Sequence, residues 1–167
     1  MIISLDIGFR ATGYSIWHKG MLLFHGIITT KPGKKTRKSE DYADRAAQIA
    51  LQLRDLIRAN KVKALVAELP NGGAKSARAI SQMAMASGVV SAVAALLDLP
   101  IEWVTPGETK KAVTGNLNAG KKEIQDAIRK LYPKAKFPKA SSSFEHIADS
   151  CGAYHAARTS NVVRIFG

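Results

Sequence analysis

Three strand-type runs crowd into the first 29 residues, Ile2 to Ile7, Gly13 to Trp17 and Met21 to Thr29, with only a few residues between them. Gaps this short admit antiparallel turns, whereas a parallel pair needs a crossover of a dozen residues or more. The runs therefore predict an antiparallel meander. Beyond it the spacing changes. Lys31 to Ser39, KPGKKTRKS, is a basic loop, and Ser39 is the expected cap of a helix with Glu40 and Asp41 in its first turn. Ala43, Ala46, Ala47, Ala50, Leu53 and Ile57 recur at helical spacing and predict its buried face. Val62 to Glu68 and Ile101 to Thr105 are short apolar runs of strand type, separated by a helical stretch from Ser76 to Asp98. Pro106 suits the first turn of a further helix, which TGNLNAG interrupts before Lys121 to Tyr132 resumes it. Lys134 to Ser143 is expected as a loop and Phe144 to Thr159 as the last helix. A meander followed by alternating helix and strand predicts one α/β domain over residues 1–167. Its five-stranded mixed sheet has three antiparallel and two parallel strands, with helices on both faces.

Charge narrows the partners. Twenty-five Lys and Arg against thirteen Asp and Glu leave a formal +12, a field that attracts polyanions, DNA or RNA first among them. No apolar run is expected to reach a membrane-spanning length, and no leader segment is expected. The lone Cys151 has no intrachain disulfide partner. A cytoplasmic protein is the expectation. The 76–98 stretch is apolar on more than one face, so a second subunit is expected to cover part of it, giving a homodimer.

Within this basic chain the acids are oddly placed. Asp6 sits inside the first strand and Glu68 ends the fourth, while His146 and Asp149, three apart, share one face of the last helix. Singly, each has an ordinary explanation: a strand-end cap, a surface terminus, a solvated helix face. If the first and fourth strands are neighbours and the last helix crosses them, the four converge. Carboxylates gathered in a partly buried place repel one another unless a cation intervenes. Mg²⁺ favours such oxygen ligands, and two ions serve phosphodiester cleavage by activating water and stabilising the leaving oxygen. A non-catalytic DNA- or RNA-binding module remains the alternative, and an actin-like ATPase would need a far longer chain.

The segments DIGFRATGY (6–14), AE (67–68), VTPGETKKAVTGNLNAGKKEI (104–124) and HIADSCGAYHAA (146–157) resemble, in order and spacing, the RuvC family. Those proteins are Holliday junction resolvases of the RNase H-like superfamily. The resemblance implies an RNase H-like fold and a dimer that nicks two strands of like polarity in a four-way junction, using Mg²⁺ or Mn²⁺. Its active-site positions fall on Asp6, Glu68, His146 and Asp149, which the resemblance makes both catalytic and metal-binding. His146 is a known variant for the third, with Glu145 a second candidate there. It also implies phosphate contacts at Arg10, Lys110, Lys111, Lys121 and Lys122, with Lys75 and Arg78 beside them. Gly8 and Gly13 are expected to serve tight backbone geometry. The loops 31–38 and 134–143 are candidates to order on DNA. Many cellular members carry an aromatic soon after the catalytic Glu, but LPNGGAKSAR has none. The chain thus looks closer to phage-type members, similar in fold, broader in branched-DNA substrate, and acting in a host cytoplasm.

Overall fold

The computed structural model describes residues 1–33, 37–69 and 76–167. The strands are β1 (Ile2–Asp6), β2 (Ala11–His18), β3 (Met21–Thr29), β4 (Ala64–Glu68) and β5 (Ile101–Val104). The helices are α1 (Lys38–Ala59), α2 (Ala77–Leu96), α3 (Pro106–Thr114), α4 (Lys121–Leu131), α5 (Ser141–Ala157) and α6 (Asn161–Phe166). The sheet runs β3-β2-β1-β4-β5. β1, β2 and β3 pair antiparallel as the short gaps require, and β4 and β5 add parallel to β1 through the α1 and α2 crossovers.

Strand alternation divides the core in two. Ile3, Leu5, Leu65 and Ala67 point to one face and pack with Ile49, Leu53, Ala86 and Val90 of α1 and α2. Ile2, Ala64 and Val66 point to the other, against Ile124, Ile128, Phe144, Ile147 and Cys151 of α4 and α5. Covered on both faces, β1 and β4 read as nearly continuous apolar runs, and they share a register from Ile2↔Ala64 to Asp6↔Glu68.

Several boundaries differ from expectation. α1 begins at Lys38 with Arg37 as its N-cap, and Ser39 lies inside the helix. Glu40 decides this: its carboxylate accepts from the Arg37 N–H at 3.2 Å, which fixes the cap three residues earlier. The buried stripe of α1 is Arg45, Ile49, Leu53 and Ile57, while Ala43 and Ala47 are exposed. Arg45 is tolerated there because Nε donates to Thr30 Oγ1 at 2.9 Å and the guanidinium lies over the Phe9 ring. α5 starts at Ser141, inside the expected loop, and a further helix, α6, follows it. Ser160 caps α6, accepting from Val163 N–H at 3.3 Å. Contrary to expectation, α2 is long and apolar enough to cross a membrane by length and composition. Its Ala, Met and Val residues are individually modest but sum over the helix. One face, Ala86, Val90, Val93 and Ala94, is buried in the core.

Candidate active site

Period two places Asp6 on the same face of β1 as Ile2 and Ser4, and Glu68 on the same face of β4 as Ala64 and Val66. The parallel register sets them side by side at the carboxyl ends of their strands, directly below α5. α5 reaches that depth through a gap in β2. Gly13, opposite Asp6 in the register, lies so close beneath the helix that a Cβ there would stand 2.0 Å from the His146 carbonyl oxygen. Only glycine permits the approach.

A buried hydroxyl chain holds α5 in register. Trp17 Nε1 donates to Ser4 Oγ at 2.8 Å, and Ser150 Oγ donates to the Ile147 carbonyl at 2.8 Å. With both ends fixed, Ser4 donates to Ser15 and Ser15 to Ser150, each at 2.9 Å. Every hydroxyl proton is used, and the residue just before Ser150 on α5 is Asp149.

The electrostatics show how crowded the acids are. Burial pushes Glu68 up from 4.5 to about 7; the Thr109 hydroxyl beside it opposes the rise, the Asp6 charge adds to it, and Lys110 opposes it more weakly. Asp149 goes further, from 3.8 to about 8, through burial and then the charges of Asp6, Glu68 and Glu145. His146 is raised chiefly because its Nδ1 donates to Asp6 Oδ2 at 2.6 Å. The Asp6 bond fixes the ring and its tautomer. Among the described residues, no three His, Cys, Asp or Glu side chains meet around a single point suited to a metal. The donor set is nonetheless three carboxylates and one imidazole, hard and oxygen-rich, with mutual repulsion that a divalent cation relieves. In chemistry the residues fit such an ion, with Asp6, Glu68 and Asp149 as its oxygen donors.

Comparison with known proteins shows the family. A family model described as "Crossover junction endodeoxyribonuclease RuvC" matches residues 2–151, all four site positions included. The chain belongs to the RuvC family. A Rhodopirellula baltica protein named crossover junction endodeoxyribonuclease RuvC is 28% identical over 160 residues, covering 93% of this chain and 86% of its own. One of that name from Mesorhizobium japonicum is 31% identical, with 92% and 89% covered. In fold, the chain is similar to the RuvC of T. thermophilus solved with a Holliday junction substrate. The TM-score is 0.77 at 18% identity, covering 98% of this chain and 95% of that one.

The basic residues divide around these acids. Lys110 and Lys121 line a cleft of about 340 Å³ together with Glu68, Thr109 and Asp149. Arg10 lines another cleft, of about 520 Å³, on the side of His146 that faces Ser142 and Ser143. Lys111 and Lys122 are exposed beside the first cleft without lining it. Arg78 donates to the Tyr42 hydroxyl at 3.1 Å, away from the acids. Lys75 and residues 34–36 lie outside the described residues. Glu145 pairs with Lys121 at the rim, where the ammonium also feels Asp149 and Asp6. Sequence reasoning missed Thr109 and the Ser4–Ser15–Ser150 chain. The available signal was parity, since Ser4 shares a face with Asp6 and Ser15 with Gly13.

Proposed function

We propose that this chain is a metal-dependent, structure-selective endonuclease that resolves Holliday junctions by paired nicks on two strands of like polarity. The observation that carries the reading is the Asp6–Glu68 register pair roofed by His146 and Asp149, in a chain whose family is RuvC. Mg²⁺ is the natural ion for this oxygen-rich set, two per site, with Mn²⁺ a substitute that His146 suits. Bound there, the ions supply Lewis-acid stabilisation and an activated water. The protein supplies the rest. Asp6 orients His146 through Nδ1, leaving Nε2 as the proton carrier at the site. Lys110 and Lys121 bracket the acids and hold the phosphates that flank the scissile bond. A pure binding module is disfavoured, because carboxylates buried in a phosphate groove repel the ligand and gain nothing for it.

The same reading assigns the outward face of α2 to a second copy of the chain. Ala84, Gly88, Ala92 and Leu96 recur along it exposed, and a Cβ on Gly88 meets nothing within 4 Å. The lack of an aromatic in LPNGGAKSAR supports a substrate range that includes other branched DNA. The buried, unpaired Cys151 suits the reducing cytoplasm, where we place the protein. The test is a cleavage panel of four-way junction, fork, flap and linear duplex, in Mg²⁺, in Mn²⁺ and in chelator. Symmetric nicking of the junction in either metal is expected. Cleavage in chelator, or linear duplex cut as fast as the junction, would overturn the proposal.

A further inference from the structure

Thr109 sits on α3 with 1% of its surface exposed, and its buried Oγ1 has no fully formed hydrogen bond among the described residues, although it stands near enough to the Glu68 carboxylate to favour its charged form. Leaving a buried hydroxyl unsatisfied destabilises the fold. A cheaper arrangement exists in the same helix. Thr114 donates its hydroxyl back to the Lys110 carbonyl at 2.7 Å, the usual refuge of a helical threonine. Thr109 does not bond back to the Thr105 carbonyl in this way. Its methyl explains why. Cγ2 is seated over Gly152 of α5, so close that a Cβ on Gly152 would stand 2.5 Å from it. This contact fixes χ1 and keeps the hydroxyl from exchanging places with the methyl. The side chain lines the cleft that holds Glu68, Asp149, Lys110 and Lys121. A glycine on α5 thus lets the fold hold a donor beside one of its half-buried acids.

We propose that Thr109 is a positioning residue whose hydroxyl donates to the Glu68 carboxylate in the metal-loaded protein and holds it in its ligating orientation. The inference rests on the metal-dependent reading of the site. It supplies an outer partner of the kind whose removal typically costs 10–100-fold in metal affinity. Thr109→Val keeps shape and methyl but removes the donor, whereas Thr109→Ser keeps the donor.

The experiment titrates Mn²⁺ by calorimetry into the DNA-free wild type, Thr109→Val and Thr109→Ser, with thermal melts of all three in chelator. Thr109→Val is expected to bind Mn²⁺ roughly 10–100-fold more weakly, with Thr109→Ser close to wild type. In chelator, Thr109→Val should melt at or above the wild-type temperature, because it no longer buries an orphan hydroxyl. Mn²⁺ affinity unchanged in Thr109→Val, or weakened equally in both variants, would overturn the role of the hydroxyl and leave the metal site standing. A wild type that binds no Mn²⁺ would overturn the metal reading itself.

Discussion

Gly13 and the buried acids set the terms at the scale of single residues. A Cβ on Gly13 would meet the His146 backbone, which cannot rotate away as a side chain could. Gly13→Ala is therefore expected to lift α5 from the sheet, lower stability by on the order of 3 kcal/mol in urea denaturation, and separate His146 from Asp6. A variant of wild-type stability and activity would show that the approach is looser than described. The acids make the metal-free protein sensitive to pH. Unfolded, Glu68 and Asp149 lose their protons near 4.5 and 3.8; folded, they keep them to about 7 and about 8. Across that window the unfolded chain binds fewer protons, so stability falls as pH rises. His146 acts in the same direction, since its raised value means that its stabilising charge is lost on the alkaline side. Thermal melts in chelator should decline between pH 5 and pH 8, and Asp149→Asn should flatten the decline. Stability rising over this range would contradict the burial of these groups.

Among the elements, α5 matters most, because it carries two of the four site residues and touches both parallel strands that carry the others. The Trp17–Ser4–Ser15–Ser150 chain and the stack of Trp17 on Tyr154, with centroids 3.9 Å apart, tie it to the sheet. Ser15→Ala leaves Ser4 only the long bond to the residue 15 carbonyl, at 3.5 Å, and leaves Ser150 without its donor. A cost of about 2 kcal/mol is expected in urea denaturation. No measurable loss would mean that apolar packing alone positions the helix. Much of this was legible in the chain. The short gaps before Thr29 dictated the meander, and alternation put Asp6 and Glu68 on one face once β1 and β4 were neighbours. Where the chain misled, a tertiary partner was responsible. Arg45 breaks the apolar stripe of α1, yet it is buried because Thr30 and Phe9 receive its guanidinium. Thr109 resembles any helical threonine until Gly152 fixes its methyl. Glu145 resembles a spare ligand until Lys121, 24 positions earlier in the chain, is found beside it.

For the whole molecule, charge and assembly determine what the site can act upon. A protein of net charge +12 that grips several phosphates releases many counterions, so junction affinity should fall steeply between 50 and 200 mM salt. A flat dependence would remove the role assigned to Lys110 and Lys121. Paired nicks need two sites held at a fixed separation, which the proposed dimer through the exposed face of α2 would provide. Ala84→Glu should halve the sedimenting mass and convert paired nicks into single, uncoordinated ones. A wild type that sediments as a monomer would contradict that assembly. The central claim is that Asp6 is needed for cutting and not for holding DNA. Its most direct test compares wild type with Asp6→Asn on a synthetic four-way junction in Mg²⁺, measuring binding and nicking on the same samples. Affinity within a few-fold of wild type, with nicking reduced to background, is the predicted result. Wild-type nicking by Asp6→Asn would contradict the account.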